Sequence, residues 1–153
     1  MTRIRNSAKA IILQDGCILA IQKEDELGDY YILPGGGQHY GEPLPAAVRR
    51  EVMEETALDV SVGDVLFIRD YISQNHEFAA TEKDCHQVEF MFACQVTGPD
   101  RGRMGDEPDG DQVGIKWIPL AELMEHRLYP LSLRPFLIDK ITTPHPVYLG
   151  DIN

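Results

Sequence analysis

The chain is poor in the features that mark several large classes of protein. Only three cysteines occur in 153 residues, Cys17, Cys85 and Cys94. They form no spaced framework and cannot all pair, which excludes a disulfide-stapled scaffold and suits a reducing compartment. Basic residues are also scarce: 14 Lys and Arg stand against 25 Asp and Glu, a formal charge of -11. Such a surface repels nucleic acid backbones and anionic membranes, so no nucleic acid polymer and no membrane is expected as a partner. An anionic ligand would need local help, from a metal ion or a small basic pocket. No stretch approaches the roughly 20 apolar residues of a membrane span. The basic residues Arg3, Arg5 and Lys9 lead into an apolar run that breaks at Gln14 and Asp15, with no small-residue cleavage site. These shortages leave a soluble cytoplasmic protein as the expectation.

What is present is enough for one packed core: 43% of the residues are hydrophobic over a length usual for one domain. We expect one domain over 1–153, with an irregular tail from about 143, where Pro144 and Pro146 fall. Residues 9–14 and 17–23 are β-rich runs separated by Asp15-Gly16, a tight-hairpin dipeptide. A short apolar strand at 30–33 is cut off by Pro34 and three glycines. From Pro45 the apolar spacing turns helical and predicts a helix ending near Ala57. Residues 60–72 contain strand-like runs, and 87–96 alternate as a longer strand with Val88, Phe90 and Phe92 on one face. The polar interval 73–86 and the Gly-, Pro- and Asp-rich interval 98–114 read as loops. A last strand is expected at 113–118, then a short helix opened by Pro119 and a second helix over 133–141. Strands followed by inserted helices argue for an α/β (α+β) arrangement, a mixed sheet covered by helices on its faces.

Glu51, Glu54 and Glu55 fall at i, i+3 and i+4 of the predicted helix, so all three project toward one side. Alone, that would be a solvated acidic face, with like charges costing about 0.2 to 0.5 kcal/mol per pair. The glycine loop immediately before the helix changes its meaning, because backbone there can approach a ligand unobstructed, and Glu42 lies at the turn between them. Carboxylates on one rigid element are what hard divalent cations require, and such cations bridge and neutralise phosphate oxygens. The histidines His39, His76 and His86 have no zinc spacing. A calcium loop at Glu107, Asp109 and Asp111 is rejected, because Lys116 stands where the twelfth-position glutamate belongs. Glu107, Asp109 and Asp111 could close over a site but read first as a solvated run. Of Tyr30, Tyr31 and Tyr71, any of which could stack a base, aromatics in short strands usually belong to the core, and only Tyr31 is assigned a place near the substrate. Phe67, Phe90, Phe92, Trp117 and Phe136 are assigned to the core.

These residues carry a family resemblance. Gly36, Glu42, Arg50, Glu51, Val52, Glu54, Glu55 and Leu58 stand at the spacings of the Nudix hydrolase signature, with Ala57 where glycine is expected. The run Tyr31-Ile32-Leu33-Pro34-Gly35-Gly36 resembles the lead-in common in that family, which is also called MutT-like. Trp117-Ile118-Pro119-Leu120, followed by Glu122-Leu123, resembles its final strand and helix. The resemblance implies a loop, helix, loop module in an α/β/α sandwich. It implies that Glu51, Glu54 and Glu55, with the Gly35 carbonyl, hold magnesium, or manganese in its place. It further implies that Arg50 orients the carboxylates, that Glu42 braces the loop, and that Gly36 and Gly37 meet the substrate. The general base in such enzymes is either a signature glutamate or an acidic residue outside the signature. Glu89, opposite Val88, Phe90 and Phe92, is the leading outside candidate, although a glutamate facing solvent is the simpler reading. The implied reaction is hydrolysis of a diphosphate linkage in a small nucleoside diphosphate derivative, and a homodimer follows only by analogy. The alternative is a non-catalytic sensor of the same fold, which usually lacks signature glutamates that this chain keeps.

Overall fold

Asp15 and Gly16 both adopt left-handed backbone angles, φ 52° and 72°, as a two-residue hairpin turn requires. They join β1 (Ile4–Gln14) to β2 (Cys17–Asp25). The structure, a computed structural model, describes residues 3–153. β1 is the hub of a mixed sheet. At its turn end it pairs with β2, Leu13 opposite Ile18. Along the rest of its length it lies between two strands. Antiparallel β4 (Gly35–Gly37) flanks one side, and parallel β6 (His86–Val96) the other, with Ile4 opposite His86 and Ile12 opposite Cys94. β5 (Val60–Ile72) pairs antiparallel with β6. β2 carries β3 (Gly28–Ile32) and β7 (Gly114–Pro119), and β3 carries the two-residue β8 (Leu128–Tyr129).

Both faces of this sheet are covered, because β1 buries alternate residues on opposite sides. Ala8, Ala10 and Ile12 pack with Phe92 and Cys94 under Ala47, Val48 and Val52 of α1 (Leu44–Thr56). Ile11 packs on the other face with Phe67 and Met91, beneath Leu120, Leu123, Leu133 and Leu137. Each fully buried valine or leucine contributes about 1.5–3 kcal/mol. The helix α1 has no side-chain cap at its start. Pro43 and Pro45 set its first turn instead, since proline needs no partner for a missing N–H there.

Several expected boundaries need correction. β1 begins at Ile4 rather than at residue 9, and the glycine run is itself a short strand, because β1 offers it a ladder. Residues 120–125 form a 3-10 helix, not an α-helix. The helix expected over 133–141 shrinks to α2 (Arg134–Ile138), since Lys140 and Ile141 take positive φ, 53° and 56°, and turn the chain out. The tail is not irregular throughout: β9 (Tyr148–Asp151) adds a parallel strand to β5, Ile68 opposite Tyr148. Among the described residues no helix is long and apolar enough to cross a membrane.

Candidate active site

A cleft opens where the glycine strand meets the sheet, and strand alternation supplies its floor. Arg5, Ser7 and Lys9 of β1, Gln87 and Glu89 of β6, and Arg69 and Tyr71 of β5 all line it. Within each strand these residues are two apart, the period that puts side chains on one face. Register completes the arrangement, with Glu89 directly between Ser7 of β1 and Arg69 of β5.

Glycine is required at the neck of the cleft. Gly35 sits at φ 141°, and a side chain there would strike the Ala8 carbonyl, while one on Gly36 would lie 2.6 Å from the Glu51 carboxylate. Glu51 can therefore reach the strand only because Gly36 is bare. Gly37 accepts a hydrogen bond at its carbonyl from Arg50, 3.0 Å, and Gly36 and Gly37 both border the cleft.

Arg50 organises the acidic face of α1. It donates to both oxygens of Glu42, at 2.8 and 3.1 Å, the two-pronged geometry in which guanidinium meets carboxylate most strongly. Its third nitrogen donates to Glu51 at 2.9 Å and to Glu54 at 3.3–3.4 Å. The Arg50 guanidinium beside Glu42 lowers that carboxyl to about 2. Glu42 also accepts from the His39 N–H at 3.0 Å, tying the loop to the helix.

Glu55 is placed differently. It is buried, and one carboxylate oxygen accepts from the Gly35 N–H at 2.7 Å. Its Oε2 has no partner. Burial pushes this carboxyl up to about 8, against the opposing pull of Lys9 and the Gly35 N–H. Lys9 in turn donates to the Gly35 carbonyl at 3.3 Å. The interval 98–113 closes the end of the helix: the N–H groups of Arg103, Gly105 and Glu107 donate to the carbonyls of Thr56, Glu55 and Glu54. These are the acceptors a helix terminus leaves without internal partners. Asp109 borders the cleft, and Asp111 pairs with Lys23 at 2.9 Å.

The donor set fits a hard divalent cation. Three carboxylates and a backbone carbonyl are the oxygen ligands magnesium takes, and the orphaned Glu55 Oε2 is a buried acceptor in need of a positive partner. As they stand these side chains do not converge. Among the described residues no group of three His, Cys, Asp or Glu is poised around one point, because Arg50 engages Glu51 and Glu54 while Gly35 engages Glu55.

Other expected residues fall in less expected places. Glu89 is buried rather than facing solvent, and accepts from Arg69 Nε at 2.7 Å. Burial alone would raise its carboxyl, but Arg69 and Lys9 outweigh that and hold it below its ordinary value. Tyr31 is not at the cleft: it is buried in the core beneath the 3-10 helix. Its neighbour Tyr30, together with Tyr71, Phe78 and Tyr129, lines the cleft instead. His76 and His86 are held by Asp151 and Asp70, at 2.7 and 2.8 Å. Phe67, Phe90, Phe92, Trp117 and Phe136 all pack into the two cores. The cationic floor of Arg5, Lys9 and Arg69 went unread in the sequence, although Arg69, a lone charge in the apolar run 65–68, was its available signal.

Comparison with known proteins bears on this arrangement. Residues 3–138 match the model of the NUDIX domain. A Caenorhabditis elegans protein named nudix hydrolase 1 is 31% identical over 144 residues, 89% of this chain but 35% of that protein. The nucleoside triphosphatase NudI of Salmonella schwarzengrund (strain CVM19633) is 28% identical over 103 residues, 64% of this chain and 73% of its own. The chain thus spans about a third of the first relative and about three quarters of the second. Among solved structures, the MutT NUDIX hydrolase from Burkholderia pseudomallei is 28% identical with a TM-score of 0.60, covering 78% of this chain and 85% of that one.

Proposed function

The chain belongs to the NUDIX domain family, and on that premise we propose that it is a magnesium-dependent hydrolase splitting a diphosphate linkage in a small nucleoside diphosphate derivative. The observation that carries the reading is the pairing of acid with base across one cleft. Glu51, Glu54 and the orphaned Glu55 face the glycine strand on one side. On the floor stand Arg5 and Lys9, neither of which has an ion-pair partner among the described residues. Two unpaired cations in a chain of charge -11 are the local basic pocket that a polyphosphate needs. The name of the Salmonella relative, a nucleoside triphosphatase, is consistent with a nucleoside part in the substrate.

Glu51, Glu54, Glu55 and the Gly35 carbonyl would hold the cation, magnesium or manganese. When bound, it would supply Lewis acidity toward phosphate oxygens and a more acidic water. Arg50 keeps Glu51 and Glu54 oriented and, through Glu42 and Gly37, ties the helix to its loop. Arg5 and Lys9 receive the phosphate charge that the acidic helix would otherwise repel. Glu89, held ionised by Arg69, is a weak proton acceptor near neutral pH. Its part is to orient Arg69, which leaves the general base to a glutamate of α1. One domain over 1–153 suffices for these parts.

Mononucleotide or phosphate release from a panel of nucleoside triphosphates, ADP-ribose and nucleotide sugars tests the reading. Glu54→Gln and Glu55→Gln should each lower turnover about a hundredfold or more without unfolding the chain, and a chelator should abolish it. Near-normal turnover in either variant would sink the metal assignment. Tight binding without product, in magnesium, would favour the non-catalytic sensor.

A further inference from the structure

β9 lies beyond the residues that match the family, yet it reaches into the cleft's construction. Asp151 accepts from the Ile72 N–H at 3.0 Å and from Asn75 Nδ2 at 2.7 Å, and its other close neighbour is His76 Nε2 at 2.7 Å. All three belong to the start of the segment that leaves β5 and returns as β6. The His76 ring lies nearly parallel to Tyr71, centroids 5.5 Å apart, and the Tyr71 hydroxyl donates to Glu82 further along the same segment at 2.7 Å. One carboxylate and one tyrosine therefore fasten residues 73–85 against the sheet.

The fastened segment presents one large apolar side chain, Phe78, and it lands on the cleft. Its ring stands 5.7 Å from that of Tyr30 and 5.2 Å from that of Tyr129, and Tyr30 and Tyr129 are 6.0 Å apart. Tilted and edge-on contacts of this kind are the favoured aromatic geometries. Three mutually supporting rings beside a polyphosphate-sized basic floor suit one class of ligand part, a flat heteroaromatic base. We propose that β9 is a specificity element: Asp151 is a positioning residue that moors residues 73–85 so that Phe78, with Tyr30 and Tyr129, forms the wall on which the substrate's base stacks. The proposal rests on the diphosphate reading above and adds to it what the protein recognises beyond the phosphates.

Two unreactive probes separate the parts: α,β-methylene-ADP, which carries a base, and methylenediphosphonate, which does not. Calorimetry with the full chain and magnesium should find the nucleotide analogue bound at least about tenfold more tightly, since stacking tolerates any base. Phe78→Ala should erase about that factor for the nucleotide analogue and leave methylenediphosphonate within twofold. Asp151→Ala should do the same and raise amide exchange across 73–85. Combining the two substitutions should cost no more than Phe78→Ala alone, because Asp151 acts through Phe78. An Asp151→Ala chain that loses both probes equally, or that only melts earlier with its nucleotide preference intact, overturns the mooring role. Unchanged nucleotide binding by Phe78→Ala overturns the wall. Equal wild-type affinity for the two probes also overturns this inference, but leaves the diphosphate reading standing. Binding of neither probe overturns that reading and this one with it.

Discussion

Glu55 combines a buried carboxyl, one satisfied oxygen and one orphaned oxygen, and this makes it a reporter of both metal and pH. Its folded-state value of about 8 lies above the ordinary 4.5. Between those limits the folded chain keeps a proton that the unfolded chain releases. In chelator, stability should therefore fall as pH rises from about 4.5 to about 8, by up to a few kcal/mol, and level off above. Glu55→Gln should flatten that slope, and magnesium at pH 8 should recover much of the loss. Urea midpoints at pH 5 and pH 8 decide the matter; equal midpoints for the metal-free wild type would contradict it. The chemistry of Glu55 was legible from its spacing, but its burial was not. The same limit applied to Tyr30 and Tyr31. Neighbours in a strand point to opposite faces, so a shift of one position exchanges core for cleft, and nothing local in the sequence sets that register.

At the scale of elements, the exit of α1 is the clearest case. Ala57 adopts φ 57° and ψ 22° and donates from its N–H to the Met53 carbonyl at 3.0 Å, so the chain leaves the helix through a left-handed residue although glycine is missing. Alanine in that conformation costs roughly 1 kcal/mol. Ala57→Gly should raise stability by about that amount, seen as a higher urea midpoint with an unchanged slope. A lower midpoint would mean that the loop contacts from Arg103, Gly105 and Glu107 over-determine the exit. The helix and the long strands were legible because their periodicity is internal to them. β8 and β9 were not, since two and four residues carry no period of their own and become strands only when β3 and β5 offer a ladder. α2 was overestimated for the converse reason: apolar spacing ran past the point where Lys140 and Ile141 turn left-handed.

For the whole molecule, the two-sided covering of the sheet followed from the order of strands and helices in the sequence, whereas the charge pattern did not. A chain of net charge -11 was expected to need a small basic pocket, and its location emerges only when β1 and β5 bring Arg5, Lys9 and Arg69 to one floor. The strand that carries two of those residues also governs how the molecule comes to be. β1 is among the first segments synthesised, but its parallel neighbour β6 places Ile4 against His86 and Ile12 against Cys94. That pairing gives the fold a high contact order, so refolding from urea should take milliseconds to seconds, and completion within microseconds would contradict the topology. During synthesis at about 5–20 residues per second, the apolar residues of β1 must wait on the order of ten seconds for the strand that will cover their edge. Nascent chains stalled before β6 should accordingly be bound by holding chaperones, and those extended past it released.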